Sequence, residues 1–123
     1  MGEFAEFNVL LTSILVTCMS DIVLILTTWP EEATARQAAE DWLQQGLVAC
    51  VNILPRMQSL YIWDGELTSG TEHQMLLKTS ALRASALQQA IVKAHPYECP
   101  EILQLSVSDG YQDYLNWIKG NTE

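Results

Sequence analysis

The chain has 123 residues, 49% of them hydrophobic, with six Lys plus Arg against fifteen Asp plus Glu and a formal net charge of −9. That length suits one domain around a single core. The scattered cations Arg36, Arg56, Lys78, Arg83, Lys93 and Lys119 lack the clustering that a phosphate-neutralising surface requires, so nucleic acid is excluded as a partner. Cys18, Cys50 and Cys99 are odd in number, widely spaced and without a C-x-x-C pair. Neither a zinc knuckle nor a thioredoxin-like motif is present, and reduced thiols in a cytoplasmic protein are the simplest reading.

In chain order, the first feature is an apolar run from Val9 to Met19, preceded by Glu3 and Glu6. Acidic residues in that place do not make a secretory leader, and the run is shorter than the ~20 residues of a membrane-spanning helix. No membrane partner is expected. Residues 1–19 are read as an extension outside a core of 20–123; a segment packed on a neighbouring subunit is the alternative.

Ile22 to Thr28 is β-rich and apolar on both faces, as a buried central strand is. Thr28-Trp29-Pro30-Glu31 then reads as a helix start, with Thr28 as cap and Glu31 completing a capping box. Ala35, Ala38, Ala39, Trp42 and Leu43 make a helical stripe that Gly46 ends. Leu47–Leu54 is a second strand ended by Pro55, and Gln58–Trp63 a third. Asp64-Gly65 predicts a two-residue type I′ turn, and Glu66–Thr79 returns as a long strand, with Gly70 expected at a bulge or bend.

Ser80 is expected to cap a second helix running to about Ala94, stopped by His95-Pro96. Ile102–Val107 is the last strand. A terminal helix starts near Asp109, with Tyr111, Tyr114, Leu115 and Ile118 at helical spacing. The order β-α-β-β-β-α-β-α predicts an α/β (α+β) ferredoxin-like sandwich: an antiparallel sheet with an extended β-hairpin and helices on one face. The other face has apolar residues in Leu47–Leu54 and Met75–Leu77 and no element left to cover it, which predicts oligomerisation through the sheet.

His95-Pro96-Tyr97-Glu98-Cys99-Pro100-Glu101 is the densest group of chemistry-bearing residues. Each proline restrains itself and the residue before it. An extended run would place His95, Tyr97, Cys99 and Glu101 on one face. His95 reads either as a helix-end residue favoured by the dipole or as a metal ligand. Cys99 reads as a soft ligand for Cu(I) or as a small buried hydrophobe. Glu98 and Glu101 could take hard cations, and His73 beside Glu72 reads as a solvated face. Tyr61 and Trp63 share a strand face, with Lys78 near the end of the partner strand; aromatic residues there suit either an amphipathic pocket or an interface. No G-x-S-x-G, P-loop, G-x-G-x-x-G or H-E-x-x-H occurs, so an enzyme is not expected.

Taken together, several separated stretches resemble the CutA divalent-cation-tolerance family in the right order. They are Thr28–Ala35, Ala49–Ile53, Leu60–Glu66, Leu77-Lys78-Thr79, His95–Glu101 and Tyr114–Ile118. The resemblance implies a ferredoxin-like subunit in a compact homotrimer, similar in architecture to PII-type signal proteins. It implies a cytoplasmic, non-enzymatic protein linked to tolerance of copper and other divalent metals, with no required cofactor. His95, with Cys99 and Glu101 as helpers, is the implied metal contact. Trp63, Lys78, Tyr97 and Trp117 are the implied cleft residues. Some bacterial members carry a Cys in the first strand and a His-His pair before the Pro-Tyr; this chain has Thr27 and Ala94-His95 there. The alternative function is a trimeric signalling or scaffold module that binds a small molecule or protein in clefts between subunits.

Overall fold

Ile22–Trp29 forms β1, whose two faces meet different surroundings in the computed structural model, which describes residues 20–123. The expectations for residues 1–19 lie outside the described residues. β1 runs antiparallel between β4 (Glu66–Ser80) and β5 (Leu103–Ser106). β2 (Cys50–Ile53) pairs with the C-terminal half of β4, and β3 (Met57–Trp63) with its N-terminal half. The sheet order is β2-β4-β1-β5, with β3 continuing along β4. α1 (Glu32–Gln44) follows β1, α2 (Ala81–Ala94) joins β4 to β5, and α3 (Gln112–Thr122) ends the chain. This is the antiparallel ferredoxin-like arrangement with a long β3–β4 hairpin.

Alternation along the strands sorts the side chains. Val23, Ile25 and Trp29 of β1, with Met75 and Leu77 of β4, point toward α1 and α2. They pack on Ala35, Ala38, Ala39 and Trp42 of α1 and on Ala84, Leu87 and Ile91 of α2. The alanines bring α1 close to the sheet, and Trp29 meets Trp42 edge-on at 5.8 Å and 70°, a geometry worth about 1 kcal/mol beyond burial. Thr27 is fully buried on this face, and its hydroxyl has no hydrogen-bond partner among the described residues.

The opposite face carries Leu24 and Leu26, flanked in register by Lys78 and Leu76 on β4 and by Leu105 and Leu103 on β5. α3 lies on this face, setting Leu115 and Ile118 against Ile22, Ala49 and Val107. The helices are therefore not all on one side. α1 and α2 fill the first face, and the apolar end of the second is the cover left for Leu115 and Ile118. Among the described residues the rest of that face stays open, with Leu103 54% and Leu105 46% exposed.

One expected helix cap moves, and the other keeps its position without a side-chain cap bond. Thr28 and Trp29 remain in β1, opposite Gln74 and His73, because Pro30 drives the residue before it out of the α region. Glu31 becomes the N-cap of α1, with no side-chain cap bond. Ser80 is the N-cap of α2, but its hydroxyl is buried without a partner among the described residues; instead the Ala81 N–H donates to the Asp21 carbonyl at 2.7 Å. The bulge is also displaced. Gly70 sits in regular register opposite Ser59. Between Ile53–Met75 and Met57–Glu72 the β2–β3 side advances four residues while β4 retreats three. The extra residue lies at Pro55-Arg56, where proline lacks a donor for the ladder.

Two turns follow the sequence closely. Asp64 and Gly65 have φ of 50° and 78°, the paired positive values of a type I′ turn. At the end of α1, Gly46 has φ 71°. Its N–H donates to Leu43 and that of Leu47 to Trp42, at 3.1 and 3.0 Å, completing a Schellman motif. A Cβ at Gly46 would meet only the Asn121 carbonyl oxygen, at 3.7 Å, so the cost of adding one is conformational. Gly46→Ala is expected to lower stability by about 1 kcal/mol, read as a lower denaturant midpoint at fixed protein concentration with an unchanged slope. An unchanged midpoint would contradict the left-handed cap.

Candidate functional site

The connector from α2 to β5 is built around His95. Its N–H donates to Ile91 as the last bond of α2, and its φ and ψ of −68° and 137° turn the chain out of the helix, as the following Pro96 requires. The ring points inward and is 8% exposed. Nε2 bonds the Thr28 carbonyl at 2.7 Å, and Nδ1 accepts the Tyr97 N–H at 3.0 Å. This pair of bonds assigns the proton to Nε2. The ring lies 4.1 Å from Trp29 and 4.8 Å from Tyr97, centroid to centroid. The β1–β5 ladder ends at Leu26–Leu103, so the imidazole satisfies a β1 carbonyl beyond the reach of β5.

The bond from Tyr97 N–H to His95 Nδ1 folds the chain back, and residues 96–99 form a bend. The extended alternation expected for this run is therefore not realised. His95 turns into the core, while Tyr97, Glu98, Cys99 and Glu101 line a cleft of about 730 Å³. Across from them stands the face of the hairpin that carries Met57, Tyr61 and Trp63, with Glu72 and Gln74 of β4. Two bridges tie the connector to the sheet. The Tyr97 hydroxyl donates to Glu72 at 3.1 Å. The Gln74 amide donates to Glu101 at 3.0 Å and to the Thr27 carbonyl at 2.9 Å. Burial first, and then the neighbouring Glu72 charge that accepts its hydrogen bond, push the Tyr97 phenol up to about 12.

Among the described residues, no Lys, Arg or His lines the cleft, which holds the carboxylates Glu72, Glu98 and Glu101 and the free thiol of Cys99. Lys78 and Trp117 lie elsewhere in the protomer. Lys78 Nζ donates to the Tyr114 hydroxyl at 3.3 Å and sits 5.6 Å from that ring, which stacks on Trp117 at 5.7 Å. Lys78 shares the sheet face of Gln74, about 13 Å further along β4. His73 bonds the Leu54 carbonyl at 3.2 Å and takes no part in the cleft.

Among the described residues, no three of His, Cys, Asp or Glu converge closely enough to hold a metal ion. Glu72 and Gln74 as cleft residues escaped the sequence reading. The signal was present: a type I′ turn at Asp64-Gly65 fixes the register, which puts Glu66, Thr68, Gly70 and Glu72 opposite Trp63, Tyr61, Ser59 and Met57.

The family model described as CutA1 divalent ion tolerance protein matches residues 23–121. The divalent-cation tolerance protein CutA of Pectobacterium atrosepticum is 42% identical over 103 residues, covering 84% of this chain and 94% of that protein. The crystal structure of CutA from Xylella fastidiosa aligns with a TM-score of 0.82 at 36% identity, over 85% of this chain and 100% of that one. The divalent cation tolerance protein of Thermus thermophilus aligns with a TM-score of 0.80 at 36% identity, over 83% and 99% of the two chains.

A phenol pushed up on folding keeps its proton where the unfolded chain has lost it. Its contribution to stability is complete below pH 10 and is lost as pH rises from 10 through about 12. Ultraviolet titration is expected to show Tyr97 ionising late, near pH 12. Glu72→Gln should return it part of the way toward 10, the remainder being burial. A tyrosine titration unaltered by that substitution would refute the assigned bridge.

Proposed function

Because the chain belongs to the CutA1 divalent ion tolerance family, we propose that it acts in tolerance of divalent cations, copper among them, as a non-catalytic cytoplasmic homotrimer. The observation that carries this reading is the cleft itself, where Cys99, Glu98 and Glu101 stand with no cationic side chain among the described residues of the lining. A thiolate suits soft ions and carboxylates suit hard ones. His95 can join Cys99 and Glu101 as a ligand only by releasing the Tyr97 N–H from Nδ1. The described residues of one protomer do not assemble three donors, so a bound ion would take its remaining ligands from water or a second copy. The non-catalytic reading is supported by His95, whose two ring nitrogens are engaged by backbone groups rather than by the Cys99 thiol.

Assembly is supported by the open strip of Leu24, Leu26, Leu76, Leu103 and Leu105, and by the hairpin. Its second face exposes Leu60, Ile62 and Leu67. Apolar surface of this extent, on both faces of a projecting hairpin, is characteristic of an interface. A second reading, a signalling or scaffold module that takes a small molecule in the cleft, is favoured by the cleft volume, which falls in the small-molecule range.

Copper titration followed by calorimetry tests the metal reading. Cys99→Ser is expected to weaken binding at least about tenfold, and His95→Ala to weaken it while also lowering stability. Equal binding by the wild type and Cys99→Ser would remove the connector from the account. Light scattering tests the assembly: the mass should be three times 13.8 kDa, and a charge at Leu105 should reduce it to that of a single chain.

A further inference from the structure

Asp109-Gly110 stands in the short link between β5 and α3, residues 107–111, which lie in neither helix nor strand. Both ends of this link are fixed. Val107 donates its N–H to the Ile22 carbonyl at 3.1 Å and accepts the Ser20 N–H at 3.3 Å. The Tyr111 carbonyl accepts the Leu115 N–H at 3.0 Å. Between them the Asp109 carboxylate turns onto the main chain that follows it, and Oδ1 accepts the Gly110 N–H at 2.8 Å. Among the described residues that N–H has no backbone acceptor. The carboxyl group of one residue is thereby held against the amide nitrogen of the next, the two partners of a five-membered ring closure. Glycine at the second position adds no side chain to hinder the approach.

We propose that Asp109-Gly110 is a site of self-modification, at which the chain closes a succinimide and reopens it as an isoaspartyl linkage that unseats α3. In the first step the Gly110 nitrogen attacks Cγ of the Asp109 carboxylic acid. The N–Cγ bond forms, a Cγ–O bond breaks, and one water leaves with the amide proton and the carboxyl hydroxyl. In the second step one water adds to the ring. Opening at N–Cγ restores the aspartate. Opening between the nitrogen and the main-chain carbonyl carbon of Asp109 routes the chain through Cβ and Cγ and frees the α-carboxylate. Water is the only co-reactant. Both reacting groups belong to adjacent residues of one chain, so the site is complete in a single copy and assembly contributes no part of it.

The new linkage inserts one methylene into a main chain anchored on both sides. Little room exists to absorb it, since even a Cβ at Gly110 would lie 3.3 Å from Leu115 Cδ2. Leu115 and Ile118 are the residues that α3 sets against Ile22, Ala49 and Val107. Asp64-Gly65 is the same dipeptide in a different setting. There the ladder pair Trp63–Glu66 and φ values of 50° and 78° hold both residues in the type I′ turn.

The assembled protein is aged at neutral pH and physiological temperature, then digested with trypsin. Peptides 94–119 and 57–78 carry Asp109-Gly110 and Asp64-Gly65 respectively. An isoaspartyl isomer elutes separately at unchanged mass and resists an aspartate-specific endoproteinase at that residue. Protein unfolded in denaturant gives the rates set by the dipeptides alone. The ratio of folded to unfolded rate is expected to be at least about fivefold higher at Asp109 than at Asp64. Asp109→Asn, with a better leaving group, should convert faster in the folded protein, with the mass gain of deamidation. Asp109→Glu, which needs a six-membered ring, should stay intact. The converted fraction should unfold at a lower denaturant midpoint. A ratio at Asp109 no higher than at Asp64, or a folded Asp109→Asn that keeps its amide, would overturn the site. Equal midpoints for converted and parent chains would overturn its effect on α3.

Discussion

The antiparallel ladder between β1 and β4, running from Ile22–Ser80 to Trp29–His73, is the constraint on which the remaining architecture depends. Alternation across this ladder divides its residues into two sets that cannot exchange, because a one-residue slip would move every side chain to the other face. One set meets α1 and α2 and forms the main core. The other is left with α3 at one end and nothing else among the described residues of the protomer. The open apolar strip, the position of the cleft and the case for assembly all descend from this division.

β4 extends the constraint beyond the sheet. Its C-terminal half holds β1 and β2, while its N-terminal half carries β3 outward as a hairpin. The extra residue at Pro55-Arg56 lets β2 and β3 use the same edge of β4 with different registers. Glu72 and Gln74 occur just where the strand leaves the core. They bond Tyr97 and Glu101 and so fix the distance between the hairpin and the connector after α2. The cleft is thus bounded by the longest described strand of the fold on one side and by a bend tied to it on the other.

His95 shows how one side chain serves core and site together. Its bonds to the Thr28 carbonyl and the Tyr97 N–H, with Trp29 and Tyr97 against its ring, join the end of β1 to the start of the cleft wall. Buried polar groups paired in this way stabilise by about 1 kcal/mol each, and they cost more when left single. The hydroxyls of Thr27 and Ser80, without partners among the described residues, mark places where strand and helix geometry prevailed over side-chain satisfaction.

The sequence by itself determined the elements and their order, because hydrophobic period, proline, glycine and the Asp64-Gly65 turn act over a few residues. It also supported a family resemblance through six short motifs and pointed to the connector as the place of interest. Tertiary structure alone decided which way each connector side chain faces. Two prolines suggested an extended run with His95, Tyr97, Cys99 and Glu101 together. A backbone N–H captured by His95 Nδ1 folded it instead, taking His95 inward and bringing Glu98 to the cleft. The same holds for Thr28, expected as a cap and found in the sheet, for the Ser80 hydroxyl, buried at the cap position without a partner among the described residues, and for Lys78 and Trp117, which within one chain meet at Tyr114. Local patterns state what a segment prefers. Where a side chain points is settled by partners distant in sequence, whose hydrogen bonds and packing exceed those preferences.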